Sequence, residues 1–182
     1  MNSTSNQPSV LILANFPKEA RLLRLALEEA HVDNLIRELW DGDQAIAYFK
    51  GEGKFENRQI FPMPRLILLD LNLPKRSGLE VLQWLHEQQK FQGMRIVALF
   101  DSENLPESDA ARGMGVSHFL IKPLDLKQIV RLLVGLSVEL APGNDSWIQA
   151  TNSYSPARGE PLLSQEQLNS KLAPAIQLAP TY

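Results

Sequence analysis

The chain has no cysteine, no long hydrophobic run and no excess of basic residues. Disulfide bonds are therefore excluded. No apolar stretch approaches the roughly 20 residues that span a bilayer, and the amino terminus, MNSTSNQPS, lacks the basic and apolar segments of a secretory signal. These absences predict a cytoplasmic protein with no membrane segment.

Positive charge is also scarce. Lys and Arg number 18 against 21 Asp and Glu, which gives a formal net charge of -3. A chain with this balance has no general basic field to attract a polyphosphate backbone. We therefore do not expect direct binding to nucleic acid.

What is present suits one domain of ordinary size with an appendage, since the chain has 182 residues of which 44% are hydrophobic. We assign residues 9–141 to the domain and expect residues 1–8 to be disordered. Residues 142–182 contain five prolines and many Ser, Asn and Gln, which is typical of a tail without its own core. A short helix near residues 164–172, docked on the domain or on a partner, is the alternative for part of this tail.

Apolar segments alternate with amphipathic helical patterns along the domain. The predicted strands cover residues 10–13, 35–40, 65–70, 95–100 and 118–122. Five strands alternating with five helices predict an α/β fold, a doubly wound five-stranded parallel sheet with helices on both faces. Ligands bind such sheets at the carboxyl ends of the strands, where we place Asn15, Asp70, Phe100 and Lys122.

Three motifs in this pattern resemble those of a known family. They are LILLDLNLPKRSG around Asp70, DGDQAIAYF after the second strand and GVSHFLIKPLDL around Lys122. Together they resemble response-regulator receiver domains, the CheY-like modules of two-component signalling. The stretch LLDLNLP and the long loop before it are most similar to stand-alone regulators associated with cyanobacterial phytochromes. The resemblance implies a (βα)5, flavodoxin-like receiver fold.

The resemblance also implies a phosphorylation site. In the family, a histidine kinase donates a phosphoryl group to the aspartate at the tip of the third strand, which Asp70 matches. Lys122 matches the lysine that pairs with a phosphoryl oxygen. A carboxylate can attack phosphorus only if the charge on the phosphoryl oxygens is neutralised, and Mg²⁺ is the usual second cation.

This sequence departs from the family at the metal position. The family's first strand ends in two acids, whereas Ala14 and Asn15 stand there. Asp70 and the amide oxygen of Asn15 would make at most a weak Mg²⁺ site. Glu19 is near in sequence, but it falls in the first helix and would have to reach back. We therefore expect no cofactor and weak or absent Mg²⁺ binding.

A second departure lies at the end of the fourth strand. The family has a Ser or Thr there whose hydroxyl bonds the phosphoryl group, whereas this chain has Phe100. A phenyl ring donates no hydrogen bond and fills the space into which a switch residue would move. Phe119 matches the family's switch aromatic but carries no hydroxyl.

These features predict a degenerate receiver, or pseudo-receiver, that is not an enzyme and acts as a phosphorylation-independent interaction module. The expected partners are proteins, with a histidine kinase, a phytochrome-type kinase and a second copy of the chain in a homodimer as candidates. Interface candidates are Leu132, Val134 and Val138, which lie off the buried face of the last helix. The alternatives are a receiver still phosphorylated on Asp70 and a nucleotide- or flavin-binding enzyme on the same architecture.

Overall fold

In the computed structural model, the described residues are 9–32, 35–88, 94–101 and 110–140, with side chains described up to residue 136. The predicted disordered segment 1–8 and the predicted tail 142–182, with its short helix, lie outside these ranges. Among the described residues, no helix has the length and apolar character needed to cross a bilayer.

The described strands form one parallel sheet in the order β2-β1-β3-β4-β5. Their bounds are β1 Ser9–Leu13, β2 Leu35–Leu39, β3 Pro64–Asp70, β4 Arg95–Asp101 and β5 His118–Lys122. The strand order changes direction between β1 and β3, so the sheet has its switch point beside Asp70. The predicted doubly wound, five-stranded parallel sheet is confirmed.

Helices cover both faces of this sheet. Their bounds are α1 Pro17–Glu29, α2 Gly42–Lys50, α3 Gly78–Glu87 and α5 Leu126–Leu140, and residues 110–113 belong to a helix between β4 and β5 that we call α4. Helices α1 and α5 pack together over one face, and α2 packs against α3 over the other. The sheet therefore separates two hydrophobic cores.

Strand β3 lies at the centre of both cores. Leu66 and Leu68 face the core under α1 and α5, whereas Ile67 and Leu69 face the core under α2 and α3. A parallel strand covered on both sides has no solvent face, and this explains its continuous apolar run. The same burial carries Asp70, the last residue of β3, to a position with 0% exposure.

The long segment between α2 and β3 is packed rather than open. It contains a short 3-10 turn, Gly53–Phe55, whose Phe55 ring lies 5.2 Å from the rings of both Tyr48 and Phe61. The Tyr48 hydroxyl donates a 2.6 Å hydrogen bond to the carbonyl oxygen of Pro62. These contacts fix the approach of the chain to the amino end of β3, opposite Asp70.

Candidate functional site

Asp70 and Lys122 meet at the carboxyl edge of the sheet. They end β3 and β5, with β4 between them, and Lys122 Nζ donates a 2.7 Å hydrogen bond to Asp70 Oδ2. The other oxygen of Asp70, Oδ1, accepts a 2.9 Å hydrogen bond from the backbone N–H of Asn72. Both oxygens of the buried carboxylate are thus bonded within the chain.

Glu19 is the third member of this group. It lies in the first turn of α1, which starts just after β1 ends, and its Oε1 is 3.0 Å from Lys122 Nζ. The side chains of Lys122, Glu19 and Asp70 are 11%, 20% and 0% exposed. We call these three residues the carboxylate–lysine triad. From the first helix Glu19 would have to reach back toward the site, and in the structure its carboxylate does reach Lys122.

Burial and charge act against each other in the triad. Burial raises the pKa of the Glu19 carboxyl above its ordinary value of 4.5, the Lys122 ammonium opposes this shift, and the nearby Asp70 carboxylate adds to it. Burial alone would lower the pKa of Lys122, but its hydrogen bonds to Asp70 and Glu19 outweigh burial and hold that pKa above 10.5. Lys122 therefore remains an ammonium ion at neutral pH.

The tip of β1 offers little to a metal ion. Ala14 is buried, presents only a methyl group, and its backbone N–H donates to the carbonyl oxygen of Leu39. Asn15, which follows it, is half-buried. Among the described residues, no group of three or more His, Cys, Asp or Glu side chains is arranged to hold a metal ion. The tip of β1 therefore offers a methyl group and a neutral amide where the family has two carboxylates.

Two aromatic rings of β4 and β5 pack together in the core under α2 and α3. The buried Phe100 ring meets the Phe119 ring edge to face, with centroids 5.8 Å apart and an interplanar angle of 87°. The Arg112 guanidinium of α4 lies 5.0 Å from the centre of the Phe119 ring. Phe119 is thus held between a buried ring and a cation, which is a favourable arrangement for a quadrupolar ring.

An acid that sequence analysis missed lies at the end of β4. The Asn72 side-chain amide donates a short hydrogen bond to the carboxylate of Asp101. Asn72 follows Asp70 by two residues, so this bond fixes the loop that leaves the acceptor strand. The only signal in the sequence was the position of Asp101 directly after an apolar strand.

The turn after β3 packs back onto the strand end. A Cβ atom at Gly78 would clash with the carbonyl oxygen of Asp70 and the Cα atom of Leu71, so this position requires glycine. The Gly78 N–H donates a 2.8 Å hydrogen bond to the carbonyl oxygen of Leu71. Ser77 and Glu80 then form a capping box that starts α3. This geometry explains why the apolar strand is followed at once by a turn.

Comparison with known proteins identifies the family. The profile described as "Response regulator receiver domain" matches residues 10–134. The chain belongs to this family. It is a receiver of two-component signalling and is related to phytochrome response regulators, which confirms the resemblance drawn from the motifs.

Individual relatives agree with this assignment. The receiver is 34% identical over 137 residues to the response regulator Rcp1 of Synechocystis sp., covering 75% of this chain and 91% of that protein. The crystal structure of the Mn²⁺-bound form of Rcp1 aligns with a TM-score of 0.62, 31% identity and coverage of 71% of this chain and 91% of Rcp1. The phosphorylated cyanobacterial phytochrome regulator RcpA aligns with a TM-score of 0.64, 27% identity and coverage of 74% and 94%. These neighbours confirm the flavodoxin-like receiver fold.

In this receiver, the motif DGDQAIAYF has a structural role that sequence analysis did not foresee. Asp41 Oδ2 accepts a 2.7 Å hydrogen bond from Lys75 Nζ, and Asp43 Oδ1 accepts one of 2.7 Å from Arg76 Nε. We call these four residues the α2–loop clamp. The clamp joins the start of α2 to the loop between β3 and α3. Both ends lie near the sheet edge that carries the triad.

The interface candidates of α5 differ in exposure. Leu132 is half-buried and packs against the core under α1 and α5. Val134 is 52% exposed. The side chain of Val138 lies outside the described residues. The structure thus leaves Val134 as the exposed apolar position of this helix among those candidates whose side chains are described.

Proposed function

We propose that this receiver acts mainly as a phosphorylation-independent protein-interaction module in two-component signalling. The observation that carries the proposal is that the Lys122 ammonium group is already paired within the chain. Its ammonium group is shared by two carboxylates of the chain, at 2.7 Å from Asp70 and 3.0 Å from Glu19. A phosphoryl oxygen would have to displace one of them.

The missing acids at the tip of β1 support the same conclusion. Phosphoryl transfer to a carboxylate depends on cations that neutralise the phosphoryl oxygens. Losing most of the stabilisation by a divalent ion would cost several kcal/mol, and each 1.36 kcal/mol is about tenfold in rate. With Ala14 and Asn15 in place of two acids, Mg²⁺-dependent phosphorylation of Asp70 should be slow or absent.

The aromatic packing supports a fixed output surface. In the family, phosphorylation alters the surface formed by the fourth helix, the fifth strand and the fifth helix. Here Phe100 offers no hydroxyl to a phosphoryl group, and Phe119 is packed against it at a centroid distance of 5.8 Å. The surface around α4, β5 and α5 would therefore keep one form whatever the state of Asp70.

The partners that we propose are proteins in the cytoplasm. A histidine kinase, including one of the phytochrome type, and a second copy of the chain are the candidates, because relatives of this receiver include the phytochrome regulator RcpA. Exposed Val134 on α5 is the position that we expect such a partner to cover. We propose no enzymatic activity, no nucleic-acid partner and no cofactor for this module.

The test is exposure of the full chain to Mg²⁺ with acetyl phosphate or beryllofluoride. The amide spectrum by NMR and the elution volume on size exclusion should stay unchanged. RcpA, treated in the same way, serves as the reference receiver. A clear spectral or oligomeric change in the wild type that disappears in Asp70→Asn would show that the acceptor still works, and would overturn the proposal.

The second candidate is a receiver that is still phosphorylated on Asp70. Two observations favour it: the relatives include a phosphorylated RcpA and an Mn²⁺-bound Rcp1, and this chain keeps both Asp70 and Lys122. This candidate predicts the opposite result in the same assay. A dedicated kinase in place of acetyl phosphate extends the assay to donors that recognise the receiver specifically.

A further inference from the structure

Glu19 contacts Lys122 although it lies on neither of the two strands that end at Asp70 and Lys122. Asp70 and Lys122 both end strands of the sheet, whereas Glu19 comes from the first turn of α1. Its carboxylate still comes within 3.0 Å of Lys122 Nζ. Helix α1 thus delivers an anion to the same cation that serves Asp70.

The charges of the triad do not balance. Two carboxylates share one ammonium ion, and all three side chains are at most 20% exposed. A further anion that approaches Lys122 meets two carboxyl groups that already contact the ammonium, at short range, where water screens little. Glu19 thus stands at the position where the cation would otherwise face an incoming oxyanion.

One oxygen of Glu19 gains nothing from this arrangement. Its Oε2 is buried and has no hydrogen-bond partner within the described part of the chain. A buried acceptor without a partner costs free energy, so the Oε1 contact to Lys122 must outweigh that cost. The carboxylate is therefore held in the site by its attraction to the ammonium rather than by a complete hydrogen-bond network.

We propose that Glu19 is a built-in competing anion, which holds Lys122 and keeps oxyanions such as inorganic phosphate away from it. The inference rests on the proposed function, because it takes Lys122 as the cation of the acceptor site. It adds a second reason why a phosphoryl group should not bind at Lys122. A residue of α1 already contacts this lysine, in addition to the replacement of the metal ligands at the tip of β1. Removal of the Glu19 charge should open an anion site beside Asp70.

The experiment titrates inorganic phosphate into the full chain without metal, in the presence of a chelator. Amide resonances of Leu71, Asn72 and Lys122 report on the site by NMR. Glu19→Gln removes the charge at nearly constant shape, and Glu19→Ala also removes the acceptor. We expect both variants to respond at phosphate concentrations at least about tenfold lower than the wild type, because a unit negative charge a few Å from the anion is gone.

Glu28→Gln is the matched control, since Glu28 is an exposed acid of the same helix. It should respond as the wild type does. If the Glu19 variants need as much phosphate as Glu28→Gln, or show no response at all, the proposal is wrong. Thermal unfolding of each variant checks that the fold is intact. The amide oxygen of Glu19→Gln can still accept a hydrogen bond from Lys122, whereas Glu19→Ala has no such acceptor and gives an independent measurement of phosphate binding.

A titration with Mg²⁺ alone separates the other role that Glu19 could have. If the wild type binds Mg²⁺ and Glu19→Gln does not, Glu19 is a metal ligand and the proposal is overturned. The test of this inference is also separate from the test of the proposed function. Phosphorylation of the wild type would overturn the proposed function, whereas the phosphate comparison between the variants at positions 19 and 28 decides the present inference by itself.

Discussion

The carboxylate–lysine triad and the α2–loop clamp use the same chemistry at different depths. Both contain a 2.7 Å contact between a carboxylate and a basic side chain. In the triad, Lys122 and Asp70 are 11% and 0% exposed, whereas Arg76 and Asp43 in the clamp are 54% and 53% exposed. Distance alone therefore does not distinguish the triad from this exposed pair of the clamp, but burial does.

The difference in burial decides what each group can do. Exposed ion pairs contribute about 0–1 kcal/mol, because water screens the charges and the long side chains lose entropy. A buried pair is stabilising only relative to a state in which one partner is missing, since the remaining charge then has no solvent. The triad should therefore be sensitive to the loss of Lys122, whereas the exposed Arg76–Asp43 pair of the clamp should tolerate changes.

The largest effect is expected for Lys122→Met. This change leaves the carboxyl groups of Asp70 and Glu19 without their ammonium, and we expect the free energy of unfolding to fall by about 3–5 kcal/mol. Urea unfolding followed by circular dichroism measures it. Adding Asp70→Asn in the same chain should recover part of the loss, because Glu19 still has no ammonium beside it. Lys127→Met, at an exposed position of α5, is the control, and an equal loss there would show that the triad is not special.

A smaller effect is expected for Asp41→Asn, which changes the buried end of the clamp. Asp41 Oδ1 accepts a hydrogen bond from the Gln44 N–H at the start of α2, and its side chain is 7% exposed. Asparagine can still cap the helix but carries no charge. We expect a loss of about 1–2 kcal/mol at neutral pH, measured by urea unfolding.

The Asp41 effect should depend on pH. Burial alone would raise the pKa of Asp41, but the hydrogen bonds from Lys75 and the Gln44 N–H outweigh it and hold that pKa below 3.8. The ionised group therefore contributes stability that is present above 3.8 and is lost as the pH falls through the lower folded-state value. The gap between wild type and Asp41→Asn should shrink in that acidic window. A gap that widens there would contradict this role.

The smallest effect is expected for Arg76→Gln at the exposed end of the clamp. Removing a half-exposed pair should change the free energy of unfolding by less than about 0.5 kcal/mol. The change should disappear in about 1 M salt, where the screening length is about 3 Å. Arg21→Gln on α1 is the matched exposed control. A loss at position 76 as large as that of Asp41→Asn would mean that burial does not determine what the loss of an ion pair costs.

The sequence by itself determined the architecture and the two ends of the site. Alternating apolar and amphipathic segments can bury their faces only as a sheet between helices, and this predicted parallel strands and the strand-end positions of Asp70 and Lys122. Comparison with the family motif made the departures at Ala14, Asn15 and Phe100 equally visible, and their chemical effect depends only on which atoms each side chain carries.

Only the tertiary structure decided which distant side chains meet. Glu19 reaches Lys122 because α1 starts at the switch point of the sheet, and Phe119 lies between Phe100 and Arg112 because β5 pairs with β4 beneath α4. Neither contact follows from periodicity, which specifies the face of an element but not the reach and rotamer of one side chain. Burial, which separates the triad from the exposed Arg76–Asp43 pair, likewise depends on the packing of the whole domain around each charge.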